Sequence, residues 1–232
     1  MRSLRPVVAT AALPALLFLS ACSGSNATPE LTPAEALSKT ETSFADAKSV
    51  AIDLTSTGVP DGVNGVTAAK GEGVIDAATP KFAGDITGRV LGQNATVPII
   101  AIGDTTWMKL FSTQYKTIDL DTLGAPNPAH LFHPTDGVSG LLSETADPQA
   151  GGEKREGSTV VRTYTGTVPA ASVEHLLRLG QDATTFDVTY LVDTTTWQLR
   201  SAEVKGEFWK GTESTYTVKL SDYGKPVEIT AP

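Results

Sequence analysis

From Ser49 onward, apolar and polar residues alternate with a period of two in one short segment after another. Val50, Ile52 and Leu54 alternate with Ala51, Asp53 and Thr55. Phe82, Gly84, Ile86, Gly88 and Val90 share one face, with Asp85, Thr87 and Arg89 on the other. Ala95, Val97, Ile99 and Ala101 share a face, and Pro98 forfeits one ladder bond. Later, Phe186, Val188, Tyr190 and Val192 alternate with Asp187, Thr189, Leu191 and Asp193. Such a pattern buries one side of a strand and wets the other. Further strands are predicted over 71–76, 107–110, 160–165, 199–209 and 215–220, with a last extended piece over 224–232. The early links have hairpin length, which describes an antiparallel meander.

Helices frame these strands. Thr32 can cap a helix, Pro33 suits its first position, and Glu35 completes a capping box. Ala34, Leu37, Glu41, Phe44 and Ala45 follow at helical spacing, with Leu37 and Phe44 as buried anchors, and the helix fades near Lys48. Asn127-Pro128 opens a short helix through Phe132. Thr135-Asp136 opens another carrying Val138, Leu141 and Leu142. Pro169 opens a third, with Val173, Leu176, Leu177 and Gly180 inward, and residues 151–157 read as a charged loop. The fold class is therefore α+β: a single large antiparallel sheet with one wet face and helices on the other. Its dry face mixes aliphatics with Gly84, Gly88, Ala95 and Ala101. Small residues there either let a helix approach closely or leave a void, and the pattern by itself favours close packing.

The start of the chain has a different character. Arg2 and Arg5 precede an apolar run from Pro6 to Ala21, shorter than the roughly 20 apolar residues of a membrane span. A charged head, an apolar middle and small residues before a cut are the anatomy of a secretory signal. Leu19-Ser20-Ala21-Cys22 resembles the bacterial lipobox, in which the cysteine thiol accepts a diacylglycerol. Cys22 is the only cysteine. The expected organisation is a lipoprotein signal over 1–21, lipid attachment at Cys22 and a flexible tether over 22–32. A single domain follows over 33–232, held at the extracytoplasmic face of the cell membrane. Two or three acyl chains give stable anchoring where one is marginal, each methylene being worth about 0.8 kcal/mol.

Removing Arg2 and Arg5 from the 18 basic residues leaves 16 against 26 acidic ones, a formal charge of −10. An acidic body without a basic stripe has no electrostatic reason to bind nucleic acid. With no cysteine left for a disulfide, stability rests on an ordinary core, which 40% hydrophobic residues can supply.

Catalytic equipment is thin. The sequence lacks His-Glu-x-x-His, Gly-x-Ser-x-Gly, Ser-x-x-Lys and a phosphate-cradling glycine loop, and no cofactor or metal is expected. Gly137-Val138-Ser139-Gly140 lacks the spacing of a nucleophile elbow. His130 and His133, near Asp136, have ligand chemistry for part of a zinc site, but they straddle a helix end and read as terminal or surface residues. His175 beside Glu174 fits the wet face of its helix. Trp107, Trp197 and Trp209 suit either sugar stacking or the core and its rim.

Two stretches carry a resemblance. One is Asn127-Pro128-Ala129-His130-Leu131-Phe132-His133-Pro134-Thr135-Asp136-Gly137-Val138, with Leu141 and Leu142. The other is Leu220-Ser221-Asp222-Tyr223-Gly224-Lys225-Pro226-Val227. With the lipobox and the order of elements, they resemble the actinobacterial LppX/LprA/LprF/LprG lipoproteins, the LprG type most of all, over residues 31–232. The chain departs from the family pattern at His130 and His133. The resemblance implies a LolA/LolB-like half-barrel sheet, covered on its concave face by helices, with an apolar cavity between. It also implies an acylated lipid or glycolipid ligand of the phosphatidylinositol mannoside, lipoarabinomannan, triacylglycerol or phthiocerol ester type. Transfer would run between the plasma membrane and the outer envelope, in some members beside a major-facilitator export pump. On that basis the small residues read as cavity lining, and Ile52, Leu54, Ile86, Val97, Ile99, Ala101, Leu141, Leu176 and Val188 are the expected walls. A chain of about 16 carbons gains on the order of 12 kcal/mol on burial and loses as much on leaving a bilayer. A pocket nearly as apolar as lipid therefore gives a balanced exchange. The other reading is a non-catalytic structural or assembly lipoprotein with a solid core, acting through protein contacts; a hydrolase would need a nucleophile and base that the sequence does not offer.

Overall fold

The helix α1, Pro33–Asp46, begins where local chemistry demands: the Thr32 hydroxyl accepts the Glu35 N–H, and the Glu35 carboxylate accepts the Thr32 N–H. This computed structural model describes residues 31–90, 92–180 and 182–232, so Cys22 and the expected leader lie outside the described residues. The buried stripe of α1 is Ala36, Leu37, Thr40 and Phe44. Leu37 and Phe44 are the expected anchors, whereas Ala34 is exposed, because the stripe is set by where α1 meets the sheet.

Eleven strands form one sheet among the described residues. They are β1 Ser49–Thr57, β2 Gly65–Val74, β3 Lys81–Val90, β4 Gln93–Ile102, β5 Thr105–Met108, β6 Lys116–Ile118, β7 Ala146–Glu156, β8 Thr159–Pro169, β9 Thr185–Asp193, β10 Leu199–Trp209 and β11 Thr212–Ser221. The order is β6-β5-β4-β3-β2-β1-β11-β10-β9-β8-β7. Two meanders, β1 to β6 and β7 to β11, thus join at their first and last strands, with Ile52 opposite Leu220 and Leu54 opposite Val218. Ser49 fastens the seam further, its hydroxyl donating to the Lys225 carbonyl at 2.6 Å. The result is an open antiparallel half-barrel, and no helix among the described residues is long and apolar enough to cross a membrane.

The alternation places side chains as expected. Asp53, Thr55, Asp85 and Asp187 are exposed on the outer face. Ile52, Val97, Ile99, Val188, Tyr190 and Val218 are buried on the inner one. The covering layer comes from α1, from the segment between β6 and β7 and from α3, Ala170–Leu177. That segment holds 3₁₀ helices at Asp121–Leu123 and Pro128–Phe132, then a single turn of helix, α2, Gly140–Ser143. The Asn127 side chain caps the second 3₁₀ helix by accepting the Ala129 N–H.

Five expectations are corrected. β2 starts at Gly65, six residues before the expected strand, because 65–70 carries small side chains that alternate weakly. The short β6 pairs with β5 where no strand was expected. The charged loop at 151–157 is mostly strand: β7 is the sheet's edge and is exposed along nearly its whole length. Charges and register shifts on such an edge discourage pairing with other chains. Finally, α2 opens at Gly140 rather than Thr135, and residues 224–232 form no strand, although Ile229 is buried and its carbonyl accepts the Lys81 ammonium at 3.2 Å.

Candidate functional site

Between the sheet and its cover lie two apolar cavities. The smaller, about 50 Å³, is enclosed by Ile52 and Leu54 of β1, Ala202 and Val204 of β10, Tyr216, Val218 and Leu220 of β11, and Phe44, Leu131, Phe132, Val138, Leu141, Val173, Leu176 and Leu177 from above. The larger, about 230 Å³, runs along β3 to β5, with Ile86, Gly88, Val97, Ile99 and Met108 as its floor and Leu120, Leu123, Leu177 and Leu179 over them. Leu177 and Tyr216 belong to both, so they form the partition. The Tyr216 hydroxyl donates to the Val66 carbonyl at 2.9 Å, which settles its one polar atom, and burial raises the phenol's pKa and keeps it neutral.

Seven of the nine expected wall residues line one of these spaces. Ile52, Leu54, Leu141 and Leu176 border the smaller, and Ile86, Val97 and Ile99 the larger. Ala101 and Val188 border neither: both face the core but are packed over, at 0% and 2% exposure. Sequence reasoning missed Met108, Leu120, Leu123, Leu131, Leu177, Leu179 and Tyr216. Most of these come from 3₁₀ turns and loops, which repeat with neither period two nor 3.6.

The cavity rim is more polar. Among the described residues, Arg89 is the one charged residue bordering the larger cavity, and Asn64 and Thr122 are its polar companions. The Arg89 Nε is buried without a hydrogen-bond partner. Leu120, Ala125 and Pro126 border this cavity and also an open polar cleft of about 890 Å³. Asp104, Asp119, Asp121, Glu174, His130, His175 and Arg178 line the cleft, where Arg178 pairs with Asp121 at 2.6 Å. Thr106, 1% exposed, also borders it, and its hydroxyl has no partner. Apolar space and wet cleft therefore adjoin.

Scattered polar ties hold the cover, among them the Asn127 amide, which donates to the Gly103 carbonyl at 2.8 Å. The Tyr190 hydroxyl, on β9, donates to the Leu141 carbonyl at 3.1 Å and lies 3.0 Å from the Thr145 hydroxyl. Ser143 donates to Glu41 of α1 at 3.3 Å. Burial raises the Glu41 pKa, against the lowering effect of that Ser143 bond.

The other candidates are used structurally. His130 lies 3.2 Å from Asp104, and the His133 Nδ1 accepts the Asp136 N–H at 3.0 Å, closing the turn after the 3₁₀ helix. Among the described residues no group of three metal-ligating side chains converges. Ser139 is fully buried, its hydroxyl donating to the Pro134 carbonyl at 2.8 Å. Trp107, Trp197 and Trp209 are half-buried rim residues. Lys39 sits 4.5 Å over Trp197, and Trp209 packs against Phe208 and Tyr216.

Known proteins can now be set beside this architecture. LprF from Mycobacterium bovis matches with a TM-score of 0.72 at 14% identity, over 86% of this chain and 96% of that one. The Mycobacterium tuberculosis lipoprotein LppX matches with a TM-score of 0.63 at 20% identity, over 85% and 98%. At such identities the likeness carries the fold alone. A search of curated proteins found no match. The family profile described as LppX_LprAFG lipoprotein spans residues 32–229, and the chain belongs to that family.

Proposed function

We propose that this protein is a membrane-anchored, non-catalytic carrier that takes the acyl chains of a multi-acyl lipid or glycolipid between its sheet and its helical cover. In this reading it moves them from the plasma membrane toward the outer envelope. The observation that carries the proposal is the pair of adjoining aliphatic cavities that meet at Leu177 and Tyr216 and border a polar cleft. Acyl chains belong in the first and a sugar or phosphate headgroup in the second. Cys22 serves as the lipid attachment point, and a mannoside, lipoarabinomannan or triacylglycerol type of ligand fits the chemistry.

The volumes constrain how loading works. Even together the cavities only match the lower end of ligand pockets, roughly 300 Å³, while a multi-acyl lipid is a ligand of the upper end, roughly 1,000 Å³. Loading therefore requires the cover to lift from the sheet. Short 3₁₀ turns and a one-turn helix, tied at scattered points such as Tyr190 to Leu141, Ser143 to Glu41, Asn127 to Gly103 and His130 to Asp104, are suited to such a shift. Each methylene entering the opened space recovers about 0.8 kcal/mol, which offsets the apolar contacts broken between cover and sheet.

Native mass spectrometry of the purified protein tests the reading: co-purifying acyl lipid is expected, and its reproducible absence would favour a solid-core assembly lipoprotein. Ile86→Trp, placed on the floor of the larger cavity, should block lipid uptake while the fold persists. Cys22→Ala should leave a folded, lipid-binding body that fails to place lipid in cells.

A further inference from the structure

Among the described residues, the large hydrophobic side chain most open to water is Phe111, at 67% exposure; the other exposed one, Leu31, reaches only 38%. Phe111 sits in the loop Lys109–Tyr115 between β5 and β6, with its backbone at φ 51°. A bulky residue rarely adopts that left-handed region, and such outliers persist where the surroundings impose them, often at functional sites. Burial of the ring does not compensate for the strain here, because the ring is not buried.

The loop is also locally cationic in an acidic chain. From Thr105 to Ile118 there is no acidic residue, whereas Lys109 and Lys116 flank the loop, in a protein of net charge −8. The Lys109 ammonium lies 4.5 Å over the Tyr115 ring, and Lys116 is exposed. An exposed aromatic between cations, beside a tyrosine, is the chemistry of a bilayer interface: the ring enters the acyl boundary while ammonium groups meet phosphates. Register fixes where the loop stands. It leaves β5 at Met108, which pairs with Ile99, and both residues are floor of the larger cavity.

We propose that the Lys109–Tyr115 loop docks this end of the sheet onto an anionic bilayer, with Phe111 inserted, so that the larger cavity faces the lipid it exchanges. The purpose given to docking rests on the carrier reading; the docking itself is measured independently of loading. Phe111→Cys, in the full lipid-anchored chain, would be labelled with an environment-sensitive fluorophore and reconstituted into phosphatidylcholine vesicles with and without phosphatidylglycerol. The parent chain, whose Cys22 carries the anchor, sets the labelling background, and Asp53→Cys on the outer sheet face is the control. The expected result is a blue-shifted emission at position 111, quenched by bilayer-embedded bromolipid and stronger with phosphatidylglycerol, while position 53 stays water-like. Lys109→Gln with Lys116→Gln should remove the phosphatidylglycerol dependence. Equal, water-like emission at both positions would overturn the inference. So would a response at 111 that needs an added membrane-protein extract. Lipid content of the same samples, by mass spectrometry, judges the carrier reading separately.

Discussion

The inner face of β2 to β4 is rich in small residues along its whole length, yet its two ends behave differently. At one end, Gly73 lies directly beneath the Phe132 ring, where a Cβ would overlap it, and Phe132 stacks on Phe82 at 5.8 Å and 12°. Both rings are essentially fully buried. At the other end, Ile86, Gly88, Val97 and Ile99 face a cavity of about 230 Å³ whose cover brings leucines from loops, a 3₁₀ turn and α3 but no aromatic ring. Composition does not separate the ends. What separates them is whether the covering segment delivers a ring: Asn127 and Pro128 start a 3₁₀ helix that ends on Phe132 over the first, and nothing comparable covers the second. Close packing and void, the two readings of a small-residue face, both occur on one sheet.

That contrast can be broken experimentally. Phe132→Ala should be the most damaging change, lowering stability by about 3–5 kcal/mol in urea denaturation, as for other buried aromatics. A loss under about 1 kcal/mol would mean that the filled end is not filled. Gly73→Ala should cost about 1–3 kcal/mol by overpacking the same ring, and a combined Gly73→Ala and Phe132→Leu chain should recover part of it. Tyr216→Phe removes the bond to Val66 and should cost about 1 kcal/mol, loosening the partition between cavities. Ile86→Trp, at the open end, should change stability by less than about 1 kcal/mol because it enters existing space; a penalty like that at Gly73 would erase the contrast.

Acid should loosen the filled end. Asp76 closes the β2–β3 turn, its carboxylate accepting the Ala78 and Thr79 N–H groups at 2.8 Å. The Thr79 bond first, then that of Ala78, holds its pKa below the ordinary 3.8. A depressed folded-state pKa means stabilisation that is complete above the ordinary value and lost as pH falls through the folded one. Protection of the Ala78 and Thr79 amides from exchange, relative to their intrinsic rates, should therefore fall only below about pH 4, and Asp76→Asn should flatten that response.

How much was legible follows the same physical lines. The α1 start is written locally, since Thr32, Pro33 and Glu35 need nothing beyond one another. Strands with a buried and a wet face, such as β1, β4 and β9, are visible for the same reason. β7 was not, because an edge strand exposed on both faces has no alternation to read. Nor was the early part of β2, where small side chains blur the period. The floor of the cavities was partly legible as an aliphatic strand face; their roof was not, because 3₁₀ turns at Leu123 and Leu131 have no diagnostic repeat. Ala101 and Val188 show the limit: sharing a face with cavity residues does not determine whether another side chain covers them.

The central seam has a temporal consequence. Each meander is built from neighbours in sequence, but β1 meets β11 through partners from far-apart stretches of the chain, such as Ile52 and Leu220, and the Ser49–Lys225 bond beside that seam spans 176 positions. Contacts that distant are slow to form, since chain closure must precede their reward. During synthesis or threading through a channel, the first meander waits with Ile52 and Leu54 uncovered until the last strand arrives. Kinetic traps, chaperone dependence and sensitivity to C-terminal truncation should therefore concentrate at β1, a strand that sits at the very middle of the finished sheet.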